Sequence, residues 1–195
     1  MQRYLRDRGT PFIAVDQGRR ATARNNGSTV RSCDPPALKT FDLVVYRDPA
    51  PHALVEVKSR RVSVRGGRVT RRECWVTLED VESLIGWQTL FGQGFQAIFA
   101  FVYPLVDPLN ANSLGPSFVV DNRSFGLLTI GVDDYRREMR VRSHRWRTVD
   151  LPQDRLDDLS RPLIGPSLDR RDRPQRAPGP IGALEPTLYH APGRR

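Results

Sequence analysis

Short β-rich runs separated by turn-forming residues occupy the N-terminal part of the chain. They cover residues 11–15, 41–46 and 53–59. Asp48, Pro49 and Pro51 separate the last two runs, and because these residue types favour turns, the two runs predict a β-hairpin. A helical pattern over residues 2–8 precedes them and ends at Gly9, a residue type that is common just past a helix end.

Apolar residues with helical spacing follow in residues 78–91. Thr77 is the predicted N-cap, and Asp80 occupies the position where a capping box usually has Glu. Gly92 follows the last periodic position, and residues 95–103 are almost wholly apolar. A run of that kind predicts a central strand that is buried on both faces of a sheet.

Weaker patterns extend the sheet beyond this strand. Residues 117–120 and 125–132 predict two strands, and Pro152 is placed to open a last helix at its first position. Residues 17–40 are polar and rich in turn formers, so they predict a long loop. The element order αβββαβ, followed by further strands and helices, predicts an α/β (α+β) domain with a mixed central β-sheet flanked by helices.

Composition divides the chain into two parts. Residues 1–164 predict one domain, whereas residues 165–195 are rich in Pro, Gly and Arg, lack apolar periodicity and predict a disordered basic tail. No apolar run reaches the roughly 18 residues of a membrane span, and no apolar signal segment follows Met1. We therefore expect a cytoplasmic, nucleoid-associated protein.

Charge changes the picture, because the formal net charge is +9 and a polyanion is the first partner to consider. Of the 31 basic residues, 29 are arginine, and Lys39 and Lys58 are the two lysines. A GC-rich genome also favours arginine codons, so one arginine by itself indicates little. Two clusters of arginine are stronger evidence for an anionic partner. Like charges at such short spacing repel one another unless a counter-charge such as phosphate is bound.

The first arginine cluster spans residues 60–72 and contains no acidic residue. It supplies the predicted nucleic-acid-binding residues Arg60, Arg61, Arg65, Arg68, Arg71 and Arg72. We interpret its 65–72 part as a loop that forms a mobile flap. The second cluster spans residues 136–147, which contain six arginines and one acidic residue, Glu138. Its Trp146 is interpreted as a core residue, with stacking on an unpaired base as the alternative.

Several kinds of site are excluded by the chain's cysteines and histidines. Cys33 and Cys74 are isolated, so a disulfide framework and a cysteine zinc cage are excluded. The three histidines lie far apart and form no HExxH-type pair, which makes histidine-based hydrolysis a poor explanation.

The candidate chemistry lies in the predicted hairpin. Glu56 and Lys58 are two residues apart in one strand, so their side chains share a face. Asp42 starts the preceding strand, and a loop with an odd number of residues centred on Pro49 places it opposite Glu56 on that face. An even loop places Asp42 on the wrong face.

Two carboxylates at such a short distance repel each other unless a hard divalent cation lies between them. Mg²⁺ suits such a pair because it takes few protein ligands and keeps several waters. Lysine is rare in this chain, so a lysine beside the pair indicates a position where arginine does not serve. The alternative is a partly buried Glu56–Lys58 ion pair with a purely structural role.

The pattern Asp42…Glu56-Val57-Lys58 resembles the motif of the PD-(D/E)XK nuclease superfamily. The two motif strands and the helix and strand that follow are similar in order and spacing to archaeal-type Holliday junction resolvases. The resemblance implies a restriction-endonuclease-like core, Mg²⁺ or Mn²⁺ bound by Asp42, Glu56 and the Val57 carbonyl, and Lys58 as the catalytic lysine. It also implies a homodimer, because resolving a junction takes two active sites.

Two features of the resemblance concern helices. The family often carries a glutamate in its first helix, but here the chain start cuts that helix short and Asp7 is its only acid. Some members use a glutamine in the later helix, which makes Gln88 a candidate auxiliary residue; an ordinary surface glutamine is the alternative.

These patterns predict a metal-dependent endonuclease that hydrolyses DNA phosphodiester bonds. Because no base-reading module is recognisable, structure-selective cleavage, for example of branched DNA, or non-specific cleavage is favoured. One alternative is a catalytically inactive nuclease-fold protein that binds nucleic acid, and another is a basic scaffold in an RNA-associated assembly. DNA and RNA stay open as partners.

Overall fold

The computed structural model of the chain describes residues 1–16, 38–66, 68–105 and 116–164. They belong to one compact unit that ends at residue 165. The predicted loop at 17–40 falls largely, and the predicted tail at 165–195 wholly, outside the described residues. No helix in the described ranges is long and apolar enough to cross a membrane.

The described residues form helices and strands that are numbered in chain order. The helices are α1 (Gln2–Asp7), α2 (Leu78–Phe91), α3 (Val132–Glu138) and α4 (Gln153–Leu159). The strands are β1 (Phe12–Ala14), β2 (Leu43–Val45), β3 (His52–Ser59), β4 (Val62–Arg65), β5 (Arg68–Arg72), β6 (Val76–Thr77), β7 (Phe95–Leu105), β8 (Ser117–Val120), β9 (Arg123–Gly131), β10 (Arg140–Ser143) and β11 (Thr148–Asp150).

Six strands make a mixed central sheet in the order β1-β2-β3-β7-β9-β8. β3 and β7 are parallel, and the other neighbours are antiparallel. β7 follows β3 through α2, as a parallel connection requires. The mixed sheet flanked by helices is confirmed, and the predicted αβββαβ order holds for α1, α2 and the first four strands of the central sheet.

Side-chain alternation divides the sheet into two packed faces. Val44 and Leu54 pack in the same cluster as Val81 and Leu84 of α2, whereas the other face carries a cluster that includes Leu5 of α1. Because side chains two residues apart in a strand share a face, Glu56 and Lys58 lie on the α2 side.

The structure corrects the expectation of a loop at residues 65–72. β4 and β5 form a separate two-stranded hairpin, with Gly66 at a φ of +57° in its turn. Val62 and Val69 pack against the α2-side core, and this packing stabilises both strands. A second small sheet, β10-β11-β6, is also absent from the sequence prediction. Pro152 is the N-cap of α4 instead of its first residue.

Candidate active site

The register of the β2–β3 hairpin brings the motif carboxylates together. The paired residues are Leu43–Val55, Val44–Leu54 and Val45–Ala53. This register is centred on Pro49, as the odd-loop prediction requires, and one further step places Asp42 opposite Glu56. The Asp42 N–H donates to the Val55 carbonyl at 3.0 Å, and Asp42 Oδ2 accepts from the Val57 N–H at 2.7 Å. The Asp42 carboxylate is therefore held against β3.

Glu56 and Lys58 form an ion pair beneath α2. Lys58 Nζ donates to Glu56 Oε1 at 2.7 Å, and both side chains are nearly buried, at 13% and 10% exposed respectively. Burial raises the pKa of Glu56, Lys58 opposes that rise, and the charges of Asp42 and Asp80 add to it. The three carboxylates thus act on one another electrostatically, which is the situation that a bound cation relieves.

Asp80 is a further site residue, although its sequence pattern predicts only a helix cap. Its side chain is 2% exposed, and Asp80 Oδ2 lies 2.9 Å from Lys58 Nζ. The same carboxylate accepts the Thr77 N–H at 3.1 Å, which completes the predicted capping box at the start of α2. A single side chain therefore both caps the helix and binds the motif lysine.

Lys39 also binds Asp80, through a short contact between Nζ and Oδ1. The backbone of Lys39 is fixed to α2, because its N–H donates to Ser83 Oγ at 3.0 Å and its carbonyl accepts from Trp87 Nε1 at 2.8 Å. Both lysines of the chain thus converge on one buried carboxylate. The rarity of lysine pointed to Lys58 in the sequence, and the same signal applied to Lys39 would have found it.

Lys39, Glu56, Lys58 and Asp80 are named the lysine centre below. Burial disfavours the charged form of Asp80, but hydrogen bonds from Lys39 and Lys58, the charge of Lys58 and the Thr77 N–H lower the pKa of Asp80 to about 2. Asp80 is therefore ionised at neutral pH.

The donor set fits a hard divalent cation with few protein ligands. Within the described ranges, no group of three or more His, Cys, Asp or Glu side chains is arranged to hold a metal ion. Asp42 and Glu56 supply two hard oxygen donors in electrostatic contact, and Asp80 is committed to the lysines. Two carboxylates suit Mg²⁺, which commonly binds one or two and keeps several waters.

Two of the predicted nucleic-acid-binding arginines are partly buried by their protein partners. The Arg60 guanidinium lies 3.8 Å from the centroid of the Trp75 ring and donates to the Trp75 carbonyl at 2.8 Å. Arg72 binds Asp157 through two contacts, of 2.5 and 2.6 Å, and its side chain is 12% exposed. Arg72 therefore anchors the β4–β5 hairpin to α4.

The other four arginines of this cluster lie exposed on or next to the β4–β5 hairpin. They are Arg61, Arg65, Arg68 and Arg71. The Arg71 guanidinium approaches Asp150 at 3.7 Å while 60% of its side chain stays exposed. These side chains form a basic surface that follows directly from the strand carrying Lys58.

Gln88 and Asp7 have partners away from the lysine centre. The Gln88 amide accepts from the Ala97 N–H at 2.7 Å and donates to Asp133 at 2.8 Å, which links α2 to β7 and α3. Asp7 pairs with Arg3 at 3.0 Å on α1, the helix that covers the opposite face of the sheet.

Trp146 contradicts the core interpretation, because it is 69% exposed. It lies in the turn between β10 and β11, outside the apolar core. The arginine-rich segment around Trp146 has no apolar pattern that predicts strands on either side of it, so its sequence does not indicate a turn at this position.

Comparison with known proteins finds a likeness in the solved structures. No family model matches the chain, and no curated protein matches it. Among solved structures, the chain is similar to Hjc, a Holliday junction resolvase from Archaeoglobus fulgidus. The TM-score is 0.43 at 12% sequence identity, and the match covers 82% of this chain and 83% of that one.

Proposed function

We propose that the chain is a metal-dependent endonuclease of the PD-(D/E)XK type that hydrolyses DNA phosphodiester bonds. One observation carries the proposal: the β2–β3 register sets Asp42 opposite Glu56, with Lys58 on the same side and bonded to Glu56. Buried charges are retained at a cost unless they are paired or functional. Here three carboxylates and two ammonium groups are collected at one end of β3.

Asp42 and Glu56, with the Val57 carbonyl, are the residues that would hold Mg²⁺ or Mn²⁺. Such an ion would supply Lewis acidity at the phosphate and would lower the pKa of a water bound to it. Lys58 uses two of its three ammonium donors on Glu56 and Asp80, as far as the described residues show, which leaves one for a phosphate oxygen. Lys58 thereby stabilises the negative charge that grows on the phosphate during attack.

Asp80 acts through Lys58. Its carboxylate lies 2.9 Å from the Lys58 ammonium group, which also binds Glu56, so two contacts restrain the position of Lys58. Lys39 balances the charge of Asp80. Preorganisation of this kind reduces the reorganisation needed when the phosphate binds.

The exposed arginines on the β4–β5 hairpin supply the contact to the nucleic-acid backbone. Arginine binds phosphate oxygens in pairs, and phosphate contacts position a substrate without reading its sequence. Branched DNA, including the Holliday junction named for the structural neighbour, is the substrate we propose to test first, with a homodimer as the form that cuts both strands.

A second candidate is a nuclease-fold protein that binds nucleic acid without cutting it. The observation that favours it is the internal pairing of the lysine centre, where ammonium groups already satisfy Glu56 and Asp80. In that case the two lysines take the place that a cation takes in an enzyme.

Cleavage assays separate the two candidates. Labelled four-way junctions and linear duplexes are incubated with the wild type and with Lys58→Ala, in Mg²⁺, Mn²⁺ and EDTA. Metal-dependent product from the wild type, absent with Lys58→Ala, supports the enzyme. Salt-sensitive binding by both proteins with no product in either metal contradicts the enzyme and leaves the binding protein.

A further inference from the structure

An exposed tryptophan borders a pocket beside the lysine centre. The pocket has a volume of about 520 Å³ and is lined by Trp75, Thr77, Arg142, Ser143, Trp146 and Thr148. It is named the tryptophan pocket. Its volume is in the range of small-ligand sites. Trp146 is 69% exposed, so it buries little of its large apolar ring and contributes little to the core. The exposed ring is instead available to stack on a ligand.

Cations flank the aromatic rings of the tryptophan pocket. The guanidinium carbon of Arg142 lies 4.9 Å from the Trp75 ring centroid, and that of Arg145 lies 5.2 Å from the Trp146 centroid. No acidic residue lines the pocket. A cationic ligand is therefore disfavoured, and a planar group that carries negative charge nearby is favoured. A nucleobase with its flanking phosphates has that chemistry.

The tryptophan pocket shares residues with the supports of the lysine centre. Thr77 lines the pocket and caps α2, and Asp80 follows it by one turn of that helix. Arg60, two residues after Lys58, stacks on Trp75 and bonds its carbonyl. The pocket and the lysine centre thus both use residues at the start of α2.

We infer that the tryptophan pocket binds an unpaired nucleobase of the nucleic acid, stacked on Trp146, with Arg142 and Arg145 on the adjoining phosphates. The inference deepens the proposed function, because it takes nucleic acid as the ligand and names an unpaired nucleotide next to the cleaved bond as the recognised feature. Stacking accepts any base, so it selects structure and not sequence.

Equilibrium binding in EDTA tests the inference without cleavage. Fluorescence anisotropy is measured with a labelled single strand, a gapped duplex and a fully paired duplex of equal length. Trp146→Ala is expected to weaken the first two about tenfold and to leave the paired duplex within about twofold, because only unpaired bases stack. Trp146→Phe, which keeps an aromatic face, is expected to restore most of the loss. Leu90→Ala is the matched control, since Leu90 is 63% exposed and lies outside the pocket.

The outcomes distinguish this inference from the proposed function. Equal weakening on all three ligands, or on none, overturns the pocket assignment even where the wild type cuts DNA. If Trp146→Ala weakens binding of the single strand and the gapped duplex selectively but the wild type does not cut DNA with Mg²⁺, the pocket assignment is supported and the endonuclease proposal is contradicted. No binding to any of the three ligands overturns both. Tighter binding of a free nucleoside monophosphate than of the single strand, read from tryptophan fluorescence, replaces nucleic acid by a nucleotide and overturns the inference.

Discussion

The lysine centre and the arginine hairpins, β4–β5 and β10–β11, both carry positive charge, but they differ in what surrounds that charge. In the lysine centre, two ammonium groups are bonded to buried carboxylates at fixed positions. On the β4–β5 and β10–β11 hairpins, arginines such as Arg65, Arg68 and Arg142 are exposed to solvent. A compact ammonium fits between two carboxylates, whereas a planar guanidinium needs a wider, flatter partner. In a chain with 29 arginines, the nearly buried Lys58 is a lysine at a position where the fit is tight.

The strongest test of this comparison is to replace the ammonium group at position 58 by a guanidinium group. Lys58→Arg is expected to lower metal-dependent cleavage by at least about a hundredfold, nearly as much as Lys58→Ala, because the guanidinium cannot occupy the space between Glu56 and Asp80. Initial rates on a four-way junction in Mg²⁺ measure this. Lys39→Arg is the matched control, and we expect a smaller loss there, since Lys39 is 43% exposed and has room for a larger head group.

Cleavage by Lys58→Arg at close to the wild-type rate would contradict the comparison. The lysine would then be a generic cation, and its rarity would carry no information about the site. DNA binding by Lys58→Arg in EDTA, measured alongside, shows whether a loss of rate is a loss of chemistry or of substrate.

Neutralising Asp80 is expected to have the next largest effect. Asp80→Asn keeps the size of the side chain but removes the charge that both lysines contact, so Lys58 is left with Glu56 alone. We expect kcat to fall about tenfold or more with little change in KM, because in the proposed mechanism Asp80 acts by orienting Lys58 and not by contacting DNA. Asp80→Glu should restore part of the rate. A rise in KM at constant kcat would instead assign Asp80 to substrate binding.

The sequence predicted the parts of the site that depend on local pattern. Strand alternation and the odd loop placed Asp42, Glu56 and Lys58 on one face, and the structure has that register. The pattern could not show that α2 delivers Asp80 to Lys58, because this contact depends on how the helix packs across the sheet. The Asp80 signal was present as a capping box, but a helix cap predicts a helix start and not a neighbour.

The arginine-rich segments were less predictable for a different reason. β4 and β5 together contain only three valines among polar residues, which is a weak apolar signal. The hairpin depends instead on Val62 and Val69 packing against the core and on the Arg72–Asp157 pair. Both contacts join positions far apart in the chain. Trp146 was assigned to the core for the same reason, since nothing local to the sequence places the β10–β11 turn at the surface.

The pH dependence of stability separates the buried charges from the exposed ones. The folded pKa of Asp80, about 2, lies below its ordinary value of 3.8, so Asp80 stabilises the fold above pH 4 and this contribution is lost as the pH falls towards 2. The loss is on the order of 2 kcal/mol. The raised pKa of Glu56 acts in the opposite direction, adding stability as the pH falls.

The difference between the wild type and Asp80→Asn in urea unfolding therefore isolates Asp80. We expect the difference in free energy of unfolding to be largest near neutral pH and to shrink between pH 4 and 2. A difference that stays constant over that range would mean that Asp80 stabilises the fold through its cap hydrogen bonds and not through its charge. Exposed arginines give no such signature, because they stay protonated at every pH used.

The smallest expected effect concerns the arginine hairpins. Arg65→Gln with Arg68→Gln removes two exposed charges at the tip of the β4–β5 hairpin and leaves the Arg72–Asp157 anchor in place. Affinity for duplex DNA should fall only a few-fold, and the slope of log binding constant against log salt should become shallower by about 2, because each lost phosphate contact releases about one counterion fewer. Arg72→Gln is the contrasting variant: it removes the ion pair between Arg72, whose side chain is 12% exposed, and the exposed Asp157, so it should lower the free energy of unfolding and leave the salt slope nearly unchanged. An unchanged slope in the Arg65/Arg68 double variant would remove this hairpin from the DNA-binding surface and leave the β10–β11 arginines as the main backbone contact.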